Sequence, residues 1–402
     1  MENIDKQLNI STFVSMLETN IKINQEKLSS IYDSIKVIPY TETHTNGIIK
    51  ISVLGNSKGL CKKMVYRKSK EPTKTTNTFR NQISSYVRIN EHKELTLKNT
   101  EPIKKSSYYK GERFVNNTNL KVYKKGQTAF QFNSIKIYWD DYSSVNTEDN
   151  IRITTSVARK SQESNLKDIY ITLTQEDIFK GYIEIIFENG CYANALYIQS
   201  SFVDNLRVNM EFIIEANMFL FTSGKVKVAG CTTDSQIDKA IKVLIKEFKD
   251  QINEEDTRSA FGIDLNNFEI VNRFPVMINC GFSSGYEIKR FELDNLIRNK
   301  HKVISSFEPN THAACIIKYY SNLSYTTPNG RCQCMDLYGN KMRCVGLGNA
   351  TKEGGCKIVT VLVFQSGKII LTGARELNQV EQGYEFIKNI LDDSEYDLKR
   401  VL

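Results

Sequence analysis

The sequence predicts an α+β fold made of one structural unit that occurs twice. Two stretches carry the evidence, TSGKVKVAGCTTDSQIDKAIKVLIKEF at 222–248 and QSGKIILTGARELNQVEQGYEFIKNIL at 365–391. Each begins with Ser-Gly-Lys, continues as a short alternating strand, and ends in an amphipathic segment with helical spacing. Each also follows an apolar run that ends in phenylalanine, and glycine suits a tight turn between two strands. The repeat therefore predicts two copies of a hairpin followed by a helix.

The first half of the unit recurs as well. A strand-like stretch at 8–24 precedes a helix-like stretch at 25–36, and the second copy has the same order at 268–288 and 289–299. Each copy then contains Thr-His, three small or polar residues and Ile-Ile-Lys, in ETHTNGIIKI and NTHAACIIKY. Each unit is therefore predicted as strand, helix, histidine stretch, strand, hairpin and helix.

The spacing between matching residues predicts insertions. The histidines His44 and His312 are 268 residues apart, whereas the hairpin glycines Gly224 and Gly367 are only 143 apart. The first copy must therefore hold a large insertion, and strand-like runs at 130–141, 168–174 and 181–190 favour a small β-rich domain there. We predict a first copy at 1–56 and 209–250, an insertion at 57–208, a linker at 251–265, a second copy at 266–320 and 358–392, a Cys/Gly-rich insertion at 321–357 and a tail at 393–402.

Composition limits the class of protein. A chain of 402 residues with 40% hydrophobic content suits two or three globular domains. A net charge of +8 favours an anionic partner, nucleic acid first, although surplus surface lysine is an equally good explanation. The start of the chain lacks a secretory pattern, and no apolar run reaches the ~18 residues of a membrane span. We therefore expect an intracellular protein with reduced thiols and no membrane partner.

The sequence offers one candidate metal site and no catalytic motif. Four of the nine cysteines lie close together in the glycine-rich insertion: Cys332, Cys334, Cys344 and Cys356. Their spacing is not that of a common zinc finger, but four thiolates could bind zinc tetrahedrally, and free thiols are the alternative. HExxH, P-loop and GxSxG motifs are absent, and only four histidines are present, so we predict no enzyme and no required cofactor.

Two longer segments resemble the TATA-box-binding protein family. VTVLVFQSGKIILTGARELNQVEQGYEFIKNIL resembles the last strands and helix of that family's core, and ISSFEPNTHAACIIKYY at 304–320 resembles the segment leading into its second stirrup. The resemblance covers a little over half of the chain, at 1–56, 208–250 and 266–392. With its insertions, the chain is most similar to the diverged TATA-binding-like proteins of giant nucleocytoplasmic DNA viruses.

The resemblance implies a saddle and a function. Two pseudosymmetric halves would each contribute a curved antiparallel sheet with helices on the convex side, and the concave side would bind the DNA minor groove. The protein would seat on AT-rich promoter DNA, bend it and recruit RNA polymerase and initiation factors, in a viral factory or virion if it is viral and otherwise in a nucleus. Two alternatives stay open: a protein-interaction scaffold that has lost DNA bending, and a nucleic-acid-processing enzyme with a saddle domain.

The resemblance also implies roles for particular residues. The family places an asparagine in the first strand of each repeat to donate to A·T acceptors, and Asn9 and Asn272 fall there, although turn or solvent roles compete. Strand alternation puts Ile370 and Thr372 on one face, whereas the first copy has Ala229 in place of the threonine.

The family also inserts pairs of phenylalanines between base steps. Phe221 and Phe364 hold the hairpin positions, with simple core packing as the alternative. His44 and His312 align with their stirrup partners, where a histidine ring would be a smaller and more polar wedge, or merely an exposed loop residue. Five lysines are candidate phosphate contacts or simply solvated side chains: Lys50, Lys318, Lys225, Lys227 and Lys368.

Overall fold

The computed structural model describes twelve stretches of the chain. They are residues 8–61, 82–96, 120–124, 130–139, 145–156, 167–193, 195–202, 206–325, 328–335, 340–341, 344–351 and 355–400. The chain divides into two compact units: unit 1 is residues 1–20, 225–234 and 269–402, and unit 2 is residues 21–224 and 235–268.

Unit 1 contains one antiparallel sheet with helices against it. Its strands are β1 (Asn9–Thr19), β12 (Lys225–Cys231), β13 (Ile270–Ser283), β14 (Ile304–Ser306), β15 (Ala314–Ser321), β16 (Leu347–Thr351), β17 (Gly355–Phe364) and β18 (Lys368–Ala374). The order is β14-β15-β17-β18-β13-β1-β12, and β16 pairs with β17. The helices are α5 (Arg290–Asn299), α6 (Leu377–Asp393) and α7 (Glu395–Leu398).

Alternation along the strands of unit 1 separates a core face from an open face. Three buried residues of β17, Val359, Val361 and Val363, form one cluster with Leu293 of α5 and Ile387 of α6. Both helices therefore cover the same face of the sheet. The side chains between the buried ones point to the other face, and those on β17 are partly exposed.

Unit 2 is built mainly from strands. They are β2 (Gly47–Val53), β3 (Asn56–Gly59), β4 (Gln82–Thr96), β5 (Leu120–Lys124), β6 (Phe130–Tyr138), β7 (Asn150–Ser156), β8 (Lys167–Thr172), β9 (Tyr182–Ala193), β10 (Ala195–Ser200) and β11 (Arg207–Phe221). One sheet has the order β11-β4-β2-β3, with β6 between β11 and β9, and a second has the order β5-β10-β7-β8. The helices are α1 (Gln25–Ser30), α2 (Gln175–Lys180), α3 (Asp234–Gln251) and α4 (Glu254–Phe261), and short 3₁₀ turns occupy Tyr32–Ser34 and Leu265–Asn267.

The prediction of an α+β fold with antiparallel sheets is confirmed. The three strand-like runs predicted inside the first insertion are β6, β8 and β9, and their inner faces share one apolar core around Trp139 and Phe132. That core lies in the same compact unit as strands of the first copy. The domain boundaries drawn from the sequence stay a prediction.

The strand beside β11 differs from the one that the sequence comparison assigned. In unit 1, β17 pairs antiparallel with β15, and Phe364 lies opposite Ala314. In unit 2, β11 pairs antiparallel with β4, and Phe221 lies opposite Gln82. β4 is therefore the counterpart of β15, although it lies inside the segment predicted as an insertion.

β2 takes the next position outward in its copy. It pairs antiparallel with β4, and Lys50 lies opposite Tyr86, just as β14 pairs with β15 with Ile304 opposite Lys318. β2 thus corresponds to β14, and the predicted equivalence of Lys50 with Lys318 is wrong. Both copies are then interrupted at the same place, between β4 and β11 at 97–206 and between their counterparts β15 and β17 at 322–354.

The Ser-Gly-Lys hairpin signal describes a turn that requires glycine. Gly367 has φ +77°, and a Cβ built there would lie 2.2 Å from the carbonyl oxygen of Tyr286. The amide of Gly367 donates to the carbonyl of Phe364 at 3.1 Å, and Gly224 bonds Phe221 in the same way at 2.9 Å. Left-handed backbone and close approach both exclude a larger residue at Gly367.

Candidate nucleic-acid interface

The open face of the unit 1 sheet combines apolar and polar side chains. Ile316, Leu362 and Ile370 stand in one row across β15, β17 and β18, because they are paired in register. The next row holds Lys318, Thr360 and Thr372, and the Lys318 Nζ donates to the Thr360 hydroxyl at 2.9 Å. Ile370 and Thr372 therefore share one partly exposed face, as alternation predicts.

The side chain nearest to Thr372 is one that sequence reasoning missed. The Thr372 hydroxyl donates to Asn279 Oδ1 at 2.5 Å. Asn279 lies on β13 between buried Ile278 and Cys280, so it points to the open face. The signal that could have found it is this alternation of a polar residue between two buried ones.

Asn9 and Asn272 are not the matching pair that the sequence suggested. Phe13 pairs with Cys231 and Ser15 with Val228, while Ile278 pairs with Ala374 and Cys280 with Leu371. Val14 therefore takes the same place beside β12 that Asn279 takes beside β18. The counterpart of Val14 on β13 is Asn279, and Asn9 is not the counterpart of Asn272. The pairing of β1 with β13 agrees with this equivalence. Thr12 lies opposite Asn279 and Val14 lies opposite Met277, so exchanging the two copies converts one pair into the other.

The predicted asparagines have other surroundings. Asn272 is exposed, and its Nδ2 donates to a carboxylate oxygen of Glu18 at 3.3 Å. Glu18 also pairs with Lys225 at 3.0 Å, and these contacts lower the pKa of its carboxyl. Asn9 is the first residue of β1, and its side chain lies outside the described residues.

Phe364 and His312 frame one end of the open face. Phe364 ends β17 opposite Ala314, and His312 precedes β15 by two residues. The His312 Nδ1 accepts from the amide of Ala314 at 3.0 Å, so the ring is bound to the start of the strand. The structure therefore brings the second predicted pair to the same strand end.

Arg290, the first residue of α5, connects the two sides of this pair. Its guanidinium donates to the carbonyl of Ala313, the residue after His312. It also donates to Oε1 of Gln365, the residue after Phe364, at 2.8 Å. The same group lies 4.6 Å from the ring centroid of Phe307. Arg290 thus holds the loop before β15 against the turn after β17.

Replacing Arg290 with methionine should loosen that loop without unfolding the unit. A charged hydrogen bond contributes roughly 1.5–3 kcal/mol, so amide exchange within residues 307–313 should rise about tenfold or more. Hydrogen exchange by mass spectrometry measures it. Arg298→Met is the matched control, because Arg298 is on the same helix but its side chain is half exposed, and it pairs with Asp294 one turn away at 3.2 Å. Equal exchange in the two variants would contradict the role of Arg290.

The first copy places its predicted wedge residues differently. Phe221 ends β11, but the loop that corresponds to the one carrying His312 precedes β4, and residues 62–81 of it lie outside the described residues. His44 instead precedes β2. Its Nε2 lies 3.3 Å from the carbonyl oxygen of Phe187, and its Nδ1 lies 3.5 Å from Glu211. The predicted equivalence of His44 and His312 is therefore wrong.

The predicted lysines are spread over both units. In unit 1, Lys318 is on the open face, Lys225 is paired with Glu18, and Lys227 lies opposite Met16. Lys368 begins β18, where burial lowers the pKa of its amine. In unit 2, the Lys50 Nζ lies 5.8 Å from the ring centroid of Tyr86. The roles of all these residues in DNA binding stay predictions.

The four predicted cysteines converge in unit 1. Their sulfur atoms all lie within 4.8 Å of one another. The Sγ–Sγ distances are 3.6 Å between Cys332 and Cys344, 3.5 Å between Cys334 and Cys356, and 3.8 Å between Cys356 and Cys332. A tetrahedral zinc with bonds of about 2.3 Å places its sulfurs about 3.8 Å apart, so the cluster has the dimensions of a metal site.

Hydrogen-bonding groups lie close to the sulfur atoms of this cluster. The Tyr325 hydroxyl lies 2.9 Å from the sulfur of Cys356 and 3.4 Å from that of Cys334, and the amide of Cys344 donates to Cys332 at 3.4 Å. Burial raises the pKa of Cys344 and Cys356, whereas at Cys334 burial is outweighed by hydrogen bonds from Tyr325 and the other thiols, which lower the pKa to about 7. Hydrogen-bond donors around sulfur ligands are typical of metal sites.

Part of the chain is similar to known proteins. Residues 353–394, which contain β17, β18 and α6, match the family model described as transcription factor TFIID, or TATA-binding protein. A protein of Acanthamoeba polyphaga mimivirus described as TATA-box-binding protein-like is 26% identical over 178 residues, which cover 44% of this chain and 42% of that protein. A TBP from Methanococcus jannaschii aligns structurally with 16% identity and a TM-score of 0.27, covering 44% of this chain and 73% of that one.

The first two matches confirm the predicted resemblance to the TATA-box-binding protein family. The chain spans less than half the length of the viral relative. Among the helices of the described stretches, none is both long and apolar enough to cross a membrane.

Proposed function

We propose that the chain is a TATA-binding-like transcription factor that binds AT-rich promoter DNA through the minor groove. The observation that carries the proposal is the bonded pair of Asn279 and Thr372 on the open face of unit 1. The minor groove of A·T pairs presents only acceptors at its floor, and a side-chain amide can donate to them. The apolar row of Ile316, Leu362 and Ile370 beside this pair would add uncharged contact area.

Bending would come from the end of the face. By the resemblance, Phe364 and His312 would be the wedges, and Arg290 bonds the residue after each of them, through the carbonyl of Ala313 and the side chain of Gln365. Unstacking one base step costs a few kcal/mol, and additional protein contacts along the bent DNA offset this cost. The factor would then recruit RNA polymerase and initiation factors for viral genes, in the cytoplasm of the host or in the virion. This activity is binding and involves no catalytic step.

Binding to AT-rich and GC-rich duplexes across a salt series tests the proposal. We expect a preference for the AT-rich duplex and an affinity that falls as salt rises from 50 to 200 mM, because phosphate contacts release counterions. Lys318→Ala should flatten the salt slope by about 1. Lys388→Ala is the matched control, because Lys388 is on α6, whose apolar side chains pack against the opposite face of the sheet, and its slope should stay unchanged.

A second candidate is a protein-interaction scaffold without DNA bending. It is favoured by the first copy, where Val14 and Ala229 stand at the positions of Asn279 and Thr372. The same experiment separates the two candidates, since a scaffold would show neither the A·T preference nor the salt slope.

We also infer that the cysteine cluster of unit 1 binds one zinc ion. Its three measured sulfur distances fit a tetrahedral Cys₄ site, and the ion would tie the segment 332–344 to β17 through Cys356. The role would be structural, because four protein ligands leave no open position. Protein purified without chelator should contain one zinc per chain by elemental analysis.

A further inference from the structure

The two copies contain the same irregularity at the same position of the sheet. In each, the last hairpin strand bulges where it pairs with the first strand, and the bulge contains a glycine with positive φ: Gly230 at 95° and Gly373 at 90°. A bulge with a left-handed glycine re-aims the neighbouring side chains and is a designed feature of a sheet. The residues facing each bulge can therefore be compared directly.

In the second copy these residues form hydrogen bonds. The bulge contributes Thr372, and the facing strand contributes Asn279. Because the threonine hydroxyl donates to Asn279 Oδ1, the orientation of the amide is fixed, with its NH₂ group at the other end. A donor held in this way suits the N3 and O2 acceptors of A·T pairs and conflicts with the amino group of guanine.

In the first copy the same positions are apolar. The bulge contributes Ala229, and the facing strand contributes Val14, whose side chain is only 3% exposed. Neither side chain can donate or accept a hydrogen bond. The neighbour two residues before Ala229 is Lys227, a cation suited to phosphate and not to base edges. The first copy thus lacks a side chain that could form a hydrogen bond with a base pair at this position.

We propose that the chain recognises base pairs in only one half of its DNA site. The second copy selects A·T pairs, and the first copy holds the other half of the site through phosphates and shape. The ligand is therefore a duplex whose A·T requirement is confined to one half, and the sequence of that half sets the orientation of the bound protein. This inference rests on the proposed minor-groove function and specifies the DNA that the function requires.

Selection from a duplex library with randomised positions, followed by sequencing, tests the inference. With the full chain, we expect A·T enrichment in one half of the site. In single duplexes, a G·C pair in that half should weaken binding about tenfold, and a G·C pair in the other half less than about threefold. Asn279→Val, which gives the second copy the residue of the first, should abolish the enrichment while leaving salt-dependent binding in place.

Thr360→Val is the matched control, because Thr360 lies on the same face one strand away and bonds Lys318, not an amide. It should leave the base preference unchanged. Equal A·T enrichment in both halves, or enrichment that survives Asn279→Val, would overturn one-sided reading while the proposed function stands. Absence of any DNA binding by the full chain would instead overturn the proposed function, and the inference with it.

Discussion

Replacing Arg88 with methionine should lower the free energy of unfolding by about 3–5 kcal/mol, because removal of one member of a buried ion pair leaves the charge of the other member poorly compensated. Arg88 is on β4, and its side chain is fully buried. Its guanidinium donates to the carbonyls of Glu42 at 2.9 Å and Tyr40 at 3.0 Å, and it lies 3.7 Å from Glu215, whose side chain is 11% exposed.

The loss of Arg88 should also loosen residues 40–46, the segment that leads into β2. Besides Arg88, this segment is held by Thr43, whose carbonyl accepts from Asn90 at 3.1 Å and from Asn133 at 2.9 Å. Burial lowers the pKa of Arg88 and Glu215 opposes that shift, so the pair must be kept together for the charge to be tolerated. His44 is in the same segment, and its contact with Glu211 should weaken too.

Urea unfolding followed by tryptophan fluorescence measures this effect. The chain has one tryptophan, Trp139, which is buried in the core of unit 2. Arg207→Met is the matched control, because Arg207 also pairs with a glutamate, Glu94 at 3.9 Å, but both side chains are more than half exposed. Exposed pairs contribute about 0–1 kcal/mol. A loss for Arg88→Met as small as that of the control would refute the buried pair as a stabilising element.

Short-range signals in the sequence predicted much of this fold correctly. Ser-Gly-Lys predicted both turns, and helical spacing predicted α3 and α6, since a turn or an amphipathic helix depends on residues close in sequence. The cysteine cluster was also predicted, because its four cysteines lie close together in the sequence. In these cases the interacting residues, or the pattern they make, are visible within a few tens of residues.

Strand order in the first copy could not be predicted in this way. Ile-Ile-Lys after Thr-His made β2 look like β15, but which strands pair is decided by contacts between distant segments. β4 was hidden because it follows a long polar stretch and contains Arg88 and Asn90, which are unusual for a buried strand. Asn279 was missed for a similar reason. Its importance appears only when the register of β13 with β18 places it beside Thr372.

Loss of a single cysteine from the cluster should remove the metal and much of the stability of unit 1. Cys356 is fully buried at the start of β17, the strand that pairs with both β15 and β18. Cys356→Ala should reduce the zinc content from one ion per chain to none. It should also lower the free energy of unfolding by several kcal/mol, since structural zinc contributes about 10–16 kcal/mol of apparent binding free energy in small peptides.

The loss of stability caused by removing the metal must be distinguished from the loss caused by truncating a buried side chain. Cys280→Ala is the matched control, because Cys280 is also fully buried in unit 1 but lies on β13, outside the cluster, and should cost about 1 kcal/mol with zinc retained. Chelation of the wild-type chain should reproduce the loss, whereas chelation of Cys356→Ala should have no further effect. If the wild-type chain contains no zinc, or unfolds identically with and without chelator, the cluster is a set of free thiols. Hydrogen bonds such as those of Tyr325 would then connect Cys334 to Cys356 of β17 without a metal.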